Sequence, residues 1–240
     1  MEATLDVLEK MEYPGRVIIL GKSPNENDVV MYAITGRSPS SQARKLEYDE
    51  TEKILTVKPT EEKTLKTGNP DLLIYPAIMI KDGIAVSNGK QTSDILPEFN
   101  LASRLEAVQV LVTSMKKWSF EDDGPIFTPR ISGCIYNGYA LSMIKRSASG
   151  SAEKHFFEFS PAPGSGKMIA TYQGINADPL PSFSGEPYDI EIPFKNPDKA
   201  CEALYNALGP KQGGNDFRVA CACVFHSLKG TVKIEVKNKN

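Results

Sequence analysis

The sequence predicts an α+β fold built mainly of antiparallel sheet, and three observations predict it. Short apolar or alternating runs of strand length recur along most of the 240 residues, about ten of them, each bounded by turn residues. Neighbouring runs are separated by connections short enough for hairpins, which makes the pairing antiparallel. Only two stretches have a helical period, and they do not alternate with the strands, so a doubly wound parallel sheet is disfavoured.

The first strands are RVIIL and VVMYAI across a polar turn, followed by KLEY and ILTVK across the turn from Asp49 to Glu52. Asp82-Gly83 separates IYPAIMI from IAVSN, and Asn137-Gly138 separates ISGCIY from YALSMIK. Both dipeptides suit tight turns with positive φ. Further strands are expected at HFFEF, KMIATYQ, FRVACACVF and VKIEVK.

The first helical stretch runs from about Leu101 to Trp118, with Leu101, Leu105, Val108, Leu111, Val112 and Met115 along one apolar face. The second starts at Asn196, a good N-cap followed by Pro197, and stops at Gly209 and Pro210, with Ala200, Cys201, Leu204 and Leu208 on its buried stripe. The Pro- and Gly-rich segment from Ala177 to Tyr188 reads as a long loop within one domain rather than a linker, so residues 1–240 are expected to form a single domain.

Lys and Arg total 28 against 30 Asp and Glu, a formal net charge of -2. Such a chain lacks the positive field on which non-specific binding to a nucleic-acid polymer depends. A small anion remains a suitable ligand, because a local cluster of Arg side chains and backbone N–H groups can hold one at any net charge. MEATLDVLEK has no apolar core of signal-peptide length, and no later run approaches a membrane span. The expectation is a soluble cytoplasmic protein with no membrane partner.

The four cysteines, Cys134, Cys201, Cys221 and Cys223, have no paired CxxC spacing and read as buried thiols. Cys221 and Cys223 would share one face of a strand. With only His155 and His226, each placed at a strand end, a histidine-based metal site or a Ser-His-Asp triad has little material. No metal is expected. PGSGKM resembles the end of a phosphate loop, but the full spacing puts Pro161 where the first Gly belongs and Met168 where the hydroxyl belongs, so it reads as a turn.

YAITGRSPSSQAR, Tyr32 to Arg44, places two arginines around a run of hydroxyl residues just after an apolar strand. It reads either as a bland polar loop or as a set of donors for a phosphate. Together with YPGRVIILGKS, NPDLLIY, VSNGKQTSDI and FTPRI, and more loosely TYQG, DKACEALYNAL and VACACVF, the sequence resembles the archaeal-type IMP cyclohydrolases over most of its length.

That resemblance implies a four-layer αββα sandwich of two mainly antiparallel sheets, similar to N-terminal-nucleophile hydrolases, although Met1-Glu2 supplies no such nucleophile. It implies cofactor-independent closure of 5-formamidoimidazole-4-carboxamide ribonucleotide (FAICAR) to inosine monophosphate (IMP) and water. The substrate is then a purine ribonucleotide. A homo-oligomer is compatible with the resemblance.

The residues it points to are Arg44, Tyr75 and Glu121 as catalytic groups. Arg37 is the fallback for Arg44, and Asp122 and Asp123 compete with Glu121 for its place. Tyr32, Arg37, Ser38, Asn88, Gly89, Thr92, Thr128 and Arg130 are the expected substrate-binding residues. Asn88-Gly89 could equally be an ordinary turn, Arg130 a surface ion pair, and Tyr32 and Tyr172 simple packing rather than stacking partners for the imidazole. Two other functions stay open at this point: a non-catalytic purine-nucleotide binding module, and an amide hydrolase on the same scaffold, which would need an internal Ser, Thr or Cys exposed by cleavage.

Overall fold

The computed structural model describes residues 5–61, 74–99, 105–211 and 213–239. Their strands form two antiparallel sheets. The six-stranded sheet has the order β11-β10-β1-β2-β12-β13, from β1 (Arg16–Lys22), β2 (Asp28–Thr35), β10 (Ser165–Ala170), β11 (Tyr188–Glu191), β12 (Arg218–His226) and β13 (Val232–Asn238). The seven-stranded sheet runs in simple chain order from β3 (Arg44–Asp49) through β4 (Ile54–Pro59), β5 (Tyr75–Ile80), β6 (Ile84–Ser87), β7 (Arg130–Ile135) and β8 (Tyr139–Arg146) to β9 (Ala152–Phe159).

Every hairpin expected from the sequence forms. Asn137 and Gly138 take the positive φ expected of their turn, at 46° and 130°. Asp82 and Gly83 do not, which corrects the reading of that turn. A Cβ on Gly83 would lie 2.5 Å from the Ile135 carbonyl, so the glycine serves close approach of β7 rather than a left-handed backbone. PGSGKM is a turn leading into β10, with Gly164 at φ 81°. His226 closes β12, whereas His155 lies inside β9, opposite Met143, with Glu153 at 2.6 Å.

Two helices cover the outer faces. α4 (Ala107–Ser114) packs on β7, β8 and β9, and α5 (Pro197–Ala207) packs on β12, β13 and β2. The shorter α1 (Asp6–Glu9), α2 (Pro39–Gln42) and α3 (Thr92–Ile95) sit in connections. Side-chain direction confirms the layering. Cys221 and Cys223 point outward to α5, where Cys201 Sγ is 3.4 Å from Cys221 Sγ, while Tyr32 points inward and meets Tyr75 of the other sheet. Cys134 points to α4 and donates to the Ala107 carbonyl. All four thiols are buried.

α5 matches its expected bounds and buries Ala200, Cys201 and Leu204, with Asn196 accepting from Lys199 N at 3.2 Å. α4 is shorter than expected and turned about its axis. Ala107, Val110, Leu111 and Met115 are buried, whereas Val112 is exposed and Leu105 and Val108 are only half-buried. A reciprocal cap between Glu106 and Gln109 sets its start. Leu101 lies outside the described residues.

β1 and β12 face the seven-stranded sheet, and apolar side chains fill the gap between the sheets. Between the sheets, a Cβ on Gly133 would come within 2.8 Å of Leu20 Cδ1. Antiparallel pairing puts the tight turns 22–28, 49–54, 80–84, 135–139 and 226–232 on one rim. The opposite rim carries the 35–44 connection, the ends of β4 and β6, the starts of β5 and β7, and the 146–152 hairpin, while the 191–218 connection crosses to it from the hairpin rim. Tyr139 and Asp28 hydrogen-bond across the hairpin rim, so the two sheets have their corresponding rims on the same side.

Candidate functional site

The rim opposite those tight turns collects the chemistry-bearing residues. Arg16 opens β1, Arg44 opens β3, Tyr75 opens β5 and Arg130 opens β7, while Thr35 closes β2 and Ser87 closes β6. Tyr32 reaches across the interior, and its hydroxyl lies 2.9 Å from that of Tyr75. Both side chains are fully buried.

Arg44 is 3% exposed and is held by its own loop: Nε donates to the Ser41 carbonyl at 2.8 Å and Nη2 to the Thr35 carbonyl at 3.3 Å. Thr35 in turn donates its N–H and its hydroxyl to the Gly15 carbonyl, each at 2.8 Å, which fixes the residue before Arg16. Gly15 takes φ 77°, and a Cβ there would strike the Tyr172 ring at 2.7 Å. Arg16 is 8% exposed, and its Nε has no hydrogen-bond partner.

Two buried guanidiniums thus stand near one threonine, and neither pairs with a carboxylate among the described residues. Burial, together with the neighbouring Arg16 charge, lowers the Arg44 pKa. Burial also opposes the Arg16 charge, but the oxygens of Tyr75, Tyr172 and Tyr32 outweigh it and the pKa is raised. Burial raises the pKa of Tyr32 and of Tyr172, so both are neutral phenols near pH 7, able to donate. Around this point the charged side chains are both cations, and the phenol hydroxyls among them accept as well as donate.

An aromatic wall adjoins it. Tyr13 stacks on Tyr172 with centroids 5.8 Å apart, and Phe217 meets Tyr13 edge-on at 5.3 Å. Tyr172 is bonded at 2.9 Å to Thr128, which Asp123 holds through both its N–H and its hydroxyl. Arg37 lies at the outer side, over Tyr13, with Nη1 donating to the Ala177 carbonyl at 2.9 Å and Nη2 3.8 Å from Asp178. The exposed Ser38 hydroxyl accepts from Ser41 N as the cap of α2.

The remaining candidates form a second network along the same rim. Asn88 donates to the Pro129 carbonyl at 2.8 Å, and its oxygen accepts from Ile131 N and from Gln91. Arg130 donates to Gln91 at 3.0 Å and to the Ser119 carbonyl, lies over Trp118, and grips Glu121 through two nitrogens at 2.6 and 2.8 Å. That pair is largely buried, at 12% and 14% side-chain exposure, rather than a surface contact. Thr92 bonds Ser87 and the Gly89 carbonyl, tying the turn together from beneath.

Arg44, Tyr75 and Tyr32 are therefore brought together. Thr128 joins them through Tyr172, and Asn88, Gly89, Arg130 and Glu121 stand in the second network. Of the three adjacent carboxylates, Glu121 engages Arg130 and Asp123 engages Thr128. Sequence reasoning missed Arg16, Tyr13 and Gln91. The signal for Arg16 was available: it is a lone charge opening a strand otherwise apolar through Leu20. No curated protein sequence matches the chain. A family model described as IMP cyclohydrolase-like protein matches residues 13–230.

Proposed function

We propose, from the premise that the chain belongs to the IMP cyclohydrolase-like family, that the Arg44, Tyr75 and Tyr32 cluster is where it acts on its substrate. The protein is an enzyme that closes the ring of FAICAR to give IMP. In that reaction the carboxamide nitrogen attacks the formyl carbon and loses a proton while the formyl oxygen gains one. The resulting carbinolamine then loses its hydroxyl, with a further N–H proton, as water, leaving the C=N bond of the purine.

An amide nitrogen is a weak nucleophile, so the enzyme must first hold it against the formyl group, an effect worth on the order of 7 to 11 kcal/mol for well-oriented partners. Two walls from different sheets serve that purpose. Arg44, fixed by two backbone carbonyls, is placed to stabilise oxyanion character on the formyl oxygen. Tyr75, with Tyr32 at its hydroxyl, is a proton carrier between nitrogen and oxygen.

Tyr13 and Tyr172 offer ring faces to the imidazole, and Thr128, Asn88, Gly89, Thr92, Arg37, Ser38 and Arg130 bind or shape the surroundings. Glu121 acts through Arg130, which it holds in place. The apolar filling shared by both sheets supports residues 1–240 working as one domain. The observation that carries this reading is the Tyr32–Tyr75 hydroxyl pair beside a buried guanidinium at one rim. Purified protein mixed with FAICAR should form IMP, seen by absorbance and by mass; a wild-type protein that binds FAICAR yet never converts it would end this assignment.

A further inference from the structure

We infer that Arg16 and Arg44 together form a paired-guanidinium site for an anionic oxygen group of the ligand. The inference rests on the functional reading above, but its argument is independent of the reaction. A guanidinium taken out of water loses several kcal/mol of hydration unless an opposite charge or a full set of acceptors replaces it. Arg16 is more than nine-tenths buried, retains an Nε donor with no partner, and faces Tyr75, Tyr172 and Tyr32 rather than a carboxylate.

Arg44 is as deeply buried, and its charge is opposed by that of Arg16. Thr35 connects the two: it accepts from Arg44 and donates to the carbonyl of Gly15, next to Arg16. Two buried cations without a carboxylate, one of them with an unpartnered Nε, describe a place prepared for an anion and unfavourable without one. The guanidinium fork matches the oxygens of a phosphate or of a developing oxyanion better than a point charge would.

Two parts of a ribonucleotide could supply that charge, the 5′-phosphate or the oxygen that becomes negative during ring closure. The test compares wild type, Arg16→Met and Arg16→Lys in three measurements: melting temperature with phosphate against chloride at equal ionic strength, affinity for IMP against inosine, and kcat with KM on FAICAR. Loss of the charged hydrogen bonds should weaken the affected step about 10- to 100-fold.

If the phosphate is the anion, phosphate raises the melting temperature of wild type but not of Arg16→Met, and IMP binding weakens while inosine binding does not. If the oxyanion is, kcat falls while IMP affinity holds. In both cases unliganded Arg16→Met melts no lower than wild type, because a buried charge has been removed, and Arg16→Lys recovers part of the loss. An Arg16→Met protein that binds IMP and turns over like wild type overturns the inference, as does one that melts lower yet keeps its phosphate response. Should Arg16→Met fail to fold, Arg44→Gln read in the same three assays decides. Wild type that responds to phosphate but leaves FAICAR unchanged would sink the enzymatic reading and spare this one.

Discussion

Tyr75 and Glu121 are both able to move a proton, but their surroundings give them different work. The Tyr75 hydroxyl faces Tyr32 in the interior, whereas both Glu121 oxygens are held by Arg130. Tyr75→Phe is expected to lower kcat by roughly a hundred- to ten-thousand-fold and to cost about 1 to 3 kcal/mol of stability by leaving the buried Tyr32 hydroxyl without its partner. Glu121→Gln is expected to raise KM more than it lowers kcat; a kcat loss equal to that of Tyr75→Phe would instead make Glu121 a proton carrier.

A separate residue-scale prediction concerns acid. Hydrogen bonds from Arg218 hold the Asp216 carboxyl at a pKa of about 2. The folded value lies below the unfolded one, so the stabilisation is complete above about pH 4 and disappears as pH falls through the folded value. Urea melts of wild type and Asp216→Asn should therefore differ at pH 5, by about 1 kcal/mol for a half-buried pair, and converge near pH 2. Arg44, Tyr75 and Tyr32 were visible in the sequence through motif resemblance. Arg16 left a signal, a lone charge opening an apolar strand, but such a charge is usually solvated and only the tertiary fold shows this one to be buried.

At the scale of single elements, legibility followed local chemistry. α5 carries its own start and stop in Asn196, Pro197, Gly209 and Pro210, and its bounds matched. Asn196→Ala should cost about 1 kcal/mol through the lost cap, and Leu204→Ala about 2 to 5 kcal/mol through a cavity, both read from urea melts. The apolar residues of α4 were ambiguous in phase, since Leu105, Val108 and Val112 fit a helical stripe as well as Ala107, Val110 and Leu111 do. Contacts from β7, Cys134 to the Ala107 carbonyl and Ser132 to the Met115 sulfur, chose between them. β11 escaped notice because it is an edge strand in which only Ile190 is buried, leaving no apolar run to detect. The thiols of Cys134, Cys201, Cys221 and Cys223 all lie under helices or within sheet layers, so an aromatic disulfide reagent should label none of them until the protein is unfolded.

Across the whole molecule, ligand affinity and stability are linked. IMP at a hundred times its dissociation constant should add about 2.7 kcal/mol to unfolding free energy, and hydrogen exchange should slow first at the openings of β1 and β3, where the two arginines lie. Antiparallel pairing was legible from hairpin spacing, and the stacking of two sheets only through the family resemblance. What the sequence could not show was which ends of the strands meet, since that depends on how one sheet is laid over the other. The position of the β12–β13 turn, on the rim away from the two arginines, has a practical outcome. A purification tag, dye or surface tether spliced into the exposed Ser227–Thr231 turn would sit a full strand length from the reacting groups, and such a graft should leave turnover intact, whereas the same graft between Arg37 and Arg44 should abolish it.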